Sequence, residues 1–232
     1  MQHTPEDLWY AARTTKIVFM PPKLLETFGE TIVHYQVFSE DMDDIGLIRL
    51  RQGMVCAERP RILTPRAFLN QALENFGEEA RRYFDDVMKP DTTALFLQYG
   101  LCFRKQEFSE ESFRGRLEEC ADQAAREAQD DLQALRGVVI GGDDTWEVSL
   151  LHLITELVRR SVPYHAMNLQ RRGLLDLDNG LPVASRQELA AAFETCRDLD
   201  AARDLGRRLR ELGVFDEYED RFYELYRKLK GN

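Results

Sequence analysis

The chain has 232 residues, a formal net charge of −10, and 31% charged against 44% apolar residues. A chain of this length can bury roughly 70% of its unfolded surface, and its composition is that of a folded soluble protein rather than a disordered one. The negative charge works against nonspecific binding to nucleic acid or to anionic membranes, because such binding needs clustered positive charge.

The four cysteines lie far apart in the sequence, at Cys56, Cys102, Cys120 and Cys196. Their spacing contains no Cys-x-x-Cys pair and predicts neither a disulfide framework nor a zinc site. The first twenty residues lack the basic and apolar segments of a secretory signal, and no apolar run is long enough to span a membrane. We therefore expect a cytoplasmic protein with no membrane contact, and the sequence predicts no metal and no cofactor.

The amino half is predicted to mix helices and strands. Thr4, followed by a proline and two acidic residues, predicts a first short helix. Alternation of side chains over residues 31–38 predicts a strand, and residues 47–62 predict a hairpin that turns near Gly53. Residues 64–88 predict two short helices.

The segment from Ser109 to Gly137 carries the clearest periodic pattern in the chain. Its apolar residues recur at steps of three and four, and acidic residues fill most other positions, which is typical of an amphipathic helix. Such a helix would be about 40 Å long at 1.5 Å per residue, which is more than one small core needs. We expect a second helix pair, a second domain or a second subunit to cover part of it. The residues expected to form this interface or core are Leu117, Ala124, Ala128 and Leu132.

The carboxyl half is predicted to be helical to its end. A glycine turn at 141–144 and the capping residue Thr145 precede a helix over residues 146–161. Pro163 is expected to end this helix and to open a short one that reaches Arg172. Three further helices are predicted between residues 185 and 229.

Together these elements predict an α+β fold that is predominantly α-helical. A small antiparallel β element is expected in the N-terminal half, and a helical C-terminal half is built on the long amphipathic helix. The mixed α+β region with its hairpin is assigned to residues 1–108 and the all-helical region to residues 109–232. Short connections between the elements indicate that the two regions pack as one compact unit.

A candidate ligand site lies on the helix that follows Thr145. His152 and Glu156 are four residues apart on its polar side, so the imidazole and the carboxylate can meet. Here arginines would hold an anionic substrate while the histidine and glutamate act as base or metal ligands. The alternative is an exposed ion pair on a helix surface. The candidate residues are His152, Glu156, Arg159, Arg160, His165, Arg171 and Arg172.

Charge is unevenly distributed in the carboxyl half. Residues 157–175 contain four arginines and no acid, whereas residues 107–131 contain nine acids and three arginines. The basic island at 159–172 could bind a phosphate backbone or an acidic partner. Alternatively, it pairs with the acidic segment of the same molecule, which lowers self-repulsion without any ligand.

No nucleophile motif, P-loop or dinucleotide fingerprint occurs, so the sequence favours a non-enzymatic protein without excluding an enzyme. The preferred hypothesis is an interaction or regulatory protein that packs by its helices, with a protein partner or a second copy of the chain. The second is an anionic-ligand-binding protein or enzyme with its site near His152. The third is nucleic-acid binding through the basic island.

Overall fold

The computed structural model of the protein describes residues 3–27, 29–58, 73–88, 102–131, 135–174 and 176–230. The chain divides into two compact units. The first contains Met1–Arg59 and Gln71–Tyr164, and the second contains Pro60–Asn70 and His165–Asn232. The boundary that the sequence analysis places at residue 108 falls inside a strand.

The first unit contains a sheet of six described strands together with helices. The strands are β1 Lys16–Phe19, β2 Glu30–Glu40, β3 Leu47–Glu58, β4 Leu73–Glu74, β5 Cys102–Arg114 and β6 Leu135–Ile140. The helices are α1 Pro5–Thr14, α2 Glu78–Arg82 with a π-helical turn over Tyr83–Val87, α3 Leu117–Asp130 and α4 Trp146–Arg171, which continues into the second unit.

The sheet is mixed, in the order β1-β6-β2-β3-β5-β4. Strands β2, β3 and β5 form an antiparallel meander, and α3 then carries the chain back so that β6 runs parallel to β2. Strand β1 closes one edge antiparallel to β6, and β4 lies parallel to β5 at the other. The predicted hairpin over 47–62 is wrong, because Gly53 lies in the middle of β3 and the turn precedes this strand, near Gly46.

The predicted fold class is wrong in the extent of its β structure. The sheet is no small antiparallel element of the N-terminal half, although the protein is a helix-rich α+β protein. The residues from Ser109 to Gly137, predicted to form one helix, instead form the end of β5, the shorter helix α3 and the start of β6. Phe113 and Leu135 fit the helical period, yet Phe113 pairs with Ile48 of β3 and Leu135 pairs with Val33 of β2. Strand pairing overrides the local pattern at both ends.

Helix α3 covers part of one face of the sheet, called the α3 face below. The alanines on its inner side let its backbone approach the strands closely. Ala124 and Ala128 are core residues, and Leu117 packs against the same cluster while partly buried. Leu132 lies outside the described residues. The buried members of the cluster are Phe38, Ile48, Ala121, Ala124, Ala128 and Val138.

Helix α4 packs on the opposite face of the sheet, called the α4 face below. A Cβ atom at Gly137 would collide with the side chain of Leu153, and one at Gly141 would collide with Ser149. Glycine at both positions therefore permits the close approach of helix and strand. The helix is continuous through Pro163, where the sequence predicts a break. Proline removes one backbone hydrogen bond, and buried apolar residues on both sides, Leu157 and Leu169 among them, hold the helix together.

The second unit contains a two-residue hairpin and three helices. Strands β7 Leu177–Asp178 and β8 Leu181–Pro182 precede α5 Val183–Thr195, α6 Leu199–Glu211 and α7 Phe215–Lys230. The three predicted helices of this region are confirmed. Their apolar faces meet in a core of Leu181, Leu189, Phe193, Leu205, Leu209 and Phe222.

Replacing Gly137 by alanine tests the close approach of α4 to β6. We expect Gly137→Ala to lower the free energy of unfolding by about 1–3 kcal/mol, because the new methyl group forces Leu153 or the strand to move. The control is Gly115→Ala, where the added Cβ meets the end of the Cys120 side chain at 3.0 Å and that side chain can turn away. Equal losses in urea unfolding would contradict the proposed packing.

Candidate functional site

The structure separates the candidate residues predicted on α4 into groups. His152, Glu156 and Arg159 lie on one face of the helix, and Arg159 forms an ion pair with Glu156. Arg160 donates a hydrogen bond to the carbonyl oxygen of Pro21 at 3.1 Å. His165 is buried and belongs to the second unit.

The remaining predicted pair, Arg171 and Arg172, is exposed in the second unit at the end of α4. The seven predicted residues therefore do not form one described site. His152, Glu156 and Arg159 are brought together by helical spacing, and Arg159 forms an ion pair with Glu156 on the same helix.

A cavity of about 370 Å³ adjoins this face of α4 within the first unit. Three elements form its walls: α1, the π-helical turn after α2, and α4. A π-helical turn is uncommon and often occurs at functional sites. The lining residues are Trp9, Ala12, Arg13, Tyr83, Val87, Met88, His152, Thr155 and Arg159.

The apolar side of α1 explains why these elements meet. Leu8, Ala11 and Ala12 are buried in one cluster with Val148 of α4, and Tyr83 and Val87 pack against this cluster. A capping box in which Thr4 and Asp7 bond each other's backbone fixes the start of α1. At its other end, the hydroxyl of Thr15 lies 2.7 Å from that of Ser149 on α4.

Positive charge and an aromatic ring meet at the mouth of the cavity. The Arg13 guanidinium lies 4.7 Å from the ring centre of Trp9, and Trp9 is 48% exposed. Arg13 forms no ion pair with any residue that the structure describes. Arg159 brings a second guanidinium, balanced by Glu156. The cavity lining therefore includes two arginines and no acidic residue, in a protein that is acidic overall.

Burial sets the protonation of the two other titratable groups on the cavity wall. It lowers the pKa of His152 below the usual histidine value, with Glu156 acting in the opposite direction and Arg159 in the same one. It also raises the pKa of Tyr83, against the effect of Arg159. At neutral pH the imidazole and the phenol are therefore both uncharged and act as hydrogen-bonding groups.

A buried charge network on the α4 face was not predicted. Asp143, just before α4, accepts hydrogen bonds from Ser39 and from Arg51, each at 2.8 Å, and it also pairs with Arg49. Arg51 is only 5% exposed, and its Nε donates to Glu110 at 2.6 Å. The alternation of Arg49 and Arg51 along β3 was the available signal, because it puts both on one face of the strand.

A second ion pair lies beside the network, around the ring of Trp146. Lys105 pairs with Glu147, and its ammonium lies 4.9 Å from the Trp146 ring centre. Phe108 and Tyr35 stack on the same ring at centroid distances of 5.2 and 6.3 Å. Arg49, Arg51 and Lys105 on this face each have an acidic partner, so the network connects α4 to the sheet.

Within the described ranges, no three histidine, cysteine or acidic side chains are placed to hold a metal ion. None of the helices in that part of the chain has the length and apolar character of a membrane span. The chain matches no protein-family model, no curated protein and no solved structure.

Replacing Asp143 by asparagine tests the buried network. We expect Asp143→Asn to lower the free energy of unfolding by about 3–5 kcal/mol, because the buried Arg51 loses the acidic partner that is buried with it and keeps only the partly exposed Glu110. The matched control is Asp44→Asn, since Asp44 pairs with Arg114 at 2.7 Å while 45% exposed. Exposed pairs contribute at most about 1 kcal/mol. Similar losses of unfolding free energy for the two variants, measured in urea, would show that the network does not hold α4 against the sheet.

His152 is expected to make stability fall in mildly acidic solution. An unfolded histidine takes up a proton near pH 6.5, whereas burial lowers the pKa of the folded one. The unfolded state then binds more protons, so the free energy of unfolding decreases as the pH falls below about 6.5. His152→Gln removes this contribution, and its stability should fall less than that of the parent between about pH 7.5 and 5.5. Parallel curves would contradict the burial of His152.

Proposed function

We propose that the protein binds a small molecule that carries a planar ring and an anionic group, in the cavity between α1, the π-helical turn and α4. The observation that carries this proposal is the convergence of Arg13, Arg159 and Trp9 on one cavity of about 370 Å³. That volume lies within the range of roughly 300–1,000 Å³ of small-molecule sites.

The anionic group would bind the guanidinium groups. Arginine offers several N–H donors in a planar fork that matches carboxylate and phosphate oxygens. Arg13 has only its contact with Trp9 among the described residues, so its donors are available. Arg159 lines the same cavity and forms an ion pair with Glu156, so it would place a second positive charge beside the bound anion.

The ring would lie against the apolar part of the cavity. Trp9 exposes about half of its surface at the mouth, and Val87, Met88 and Ala12 line the interior. A planar ring that stacks on an indole gains both apolar burial and ring–ring contact. Uncharged Tyr83 and His152 then supply hydrogen bonds that fix the orientation of the ligand.

The same contacts favour binding over catalysis. A general base must lie within hydrogen-bond reach of the proton that it abstracts, and covalent catalysis also needs a nucleophile beside the base. Glu156 is engaged by Arg159, and no described cysteine lines the cavity. Self-association through the alanine face of α3 is not part of the proposal, because Ala124 and Ala128 are core residues.

Three probes separate the parts of the ligand. Adenosine monophosphate has both ring and anion, adenosine has the ring alone, and inorganic phosphate has the anion alone. In calorimetric titrations we expect adenosine monophosphate to bind at least tenfold more tightly than either part. A series of aromatic carboxylates, screened by melting temperature, tests the same chemistry with a different anion.

Substitutions in the cavity test which side chain contacts which part of the ligand. Arg13→Gln should weaken adenosine monophosphate at least tenfold, since a hydrogen bond to a charged group contributes about 1.5–3 kcal/mol. Trp9→Leu should weaken both ring-bearing probes and leave phosphate unaffected. Arg136→Gln, a substitution outside this cavity, is the control and should leave the affinity for adenosine monophosphate unchanged. Absence of binding by every ring-bearing anion, or an unchanged affinity in Arg13→Gln, would overturn the proposal.

A further inference from the structure

A second cavity, of about 470 Å³, lies on the α3 face of the sheet, beyond the part that α3 covers. Strand pairing brings its side chains together: His34 of β2 is opposite Met54 of β3 and Arg136 of β6, and Gln36 is opposite Gln52. Ser109 of β5 pairs with Gln52 and completes a polar wall. The floor therefore spans four strands and consists mostly of hydrogen-bonding groups.

The guanidinium of Arg136 is the unusual group in this cavity. Arg136 is half-buried, yet its side chain forms no ion pair and no hydrogen bond with any residue of the described ranges. On the α4 face, by contrast, Arg49, Arg51 and Lys105 each have an acidic partner. Shielding a charged group without a partner is unfavourable. Arg136 is thus placed to receive an anion from outside the fold.

Gln36 adds a second unmet hydrogen-bonding group. Its Nε2 lies 3.2 Å from Oε1 of Gln52, while its own Oε1 is enclosed and has no hydrogen-bond partner. Exchanging oxygen and nitrogen in both amides does not help, since one polar atom of Gln36 is still left over. The terminal torsion of glutamine is broad, so this amide can turn towards the cavity.

The backbone beside these groups is irregular. The register between β3 and β5 shifts between Gly53 and Met54, and Gly53 belongs to the cavity lining. Bulges of this kind are frequent next to functional sites, where they re-aim side chains. The Gln52-Gly53 pair that resembles a turn in the sequence thus marks an irregularity at the cavity floor.

We propose that this cavity binds a small carboxylate that also carries an N–H or O–H donor, as amino acids and hydroxy acids do. The carboxylate binds the fork of Arg136. The donor binds the carbonyl oxygen of the Gln36 amide, and His34 and Ser109 supply further hydrogen bonds. This site is separate from the cavity that contains His152, and no lining residue is shared between the two.

Four small probes test the chemistry in amide-resolved NMR titrations of the whole chain. Glycine carries a carboxylate and an ammonium, glycolate a carboxylate and a hydroxyl, acetate a carboxylate alone, and acetamide no charge. We expect glycine or glycolate to shift the signals of residues 34–36, 52–54 and 136, and whichever of the two binds more tightly identifies the donor. Acetate should bind at least threefold more weakly than the better of these, and acetamide should not bind.

Two variants make the proposal falsifiable without relying on loss of folding. Arg136→Gln should weaken the better probe at least tenfold. Gln36→Leu should weaken it as well, and should raise the melting temperature by about 2–4 °C, because an enclosed acceptor without a partner is removed. Arg13→Gln should leave binding at this cavity unchanged.

No shift at these residues with either glycine or glycolate would overturn the proposal, as would equal binding of acetate or any binding of acetamide. Unchanged affinity in Arg136→Gln would do the same. A lower melting temperature in Gln36→Leu would show that the glutamine serves the fold instead. None of these results depends on the cavity that contains Trp9 and Arg13, so the two proposals fail independently.

Discussion

The ion pair between Asp143 and Arg51 holds the start of α4 against the sheet. Both side chains are almost fully buried, and each is the most buried charge partner of the other, because their second partners Arg49 and Glu110 are more exposed. Removing one side of a buried pair costs several kcal/mol. Asp143 lies directly before α4 and Arg51 in the middle of β3, so their pairing fixes where the helix begins against the strands. Glycines at 137 and 141 then let the helix approach. Helix α1 packs on α4, so the cavity beside His152 depends on the ion pair that positions α4.

The cations on the two faces of the sheet differ in whether they have acidic partners among the described residues. On the α4 face, acids at the start of the helix neutralise the cations of β3 and β5, which leaves a structural network. On the α3 face, Arg136 has no such acid among the described residues. Arg13 at the mouth of the other cavity is in a similar position. Cations of a strongly acidic protein that lack acidic partners are the sites at which an anionic ligand is expected.

Local signals sufficed for part of the fold. The capping residues of α1 and the amphipathic patterns of α6 and α7 identify these helices without tertiary information. The single helix predicted from Ser109 to Gly137 is wrong because two kinds of residue together resemble one helical repeat. These are the alanines that α3 buries on the sheet and the alternating residues of the flanking strands. The partner of β5 is β3, far away in sequence, and no local pattern reveals such pairing. Helical spacing likewise placed His152 beside Arg159, whereas Trp9, Arg13 and Tyr83 joined them only through packing of α1 and the π-helical turn.

A crystal structure of the protein with adenosine monophosphate tests the central claim most directly. It shows both whether Asp143 and Arg51 hold α4 against the sheet and which molecule occupies the cavity. The account predicts the base against the indole of Trp9, the phosphate within hydrogen-bonding distance of Arg13 and Arg159, and Asp143 paired with Arg51. Nucleotide bound away from α1 and α4, or a cavity that stays empty while α1 and α4 pack as described, would contradict it.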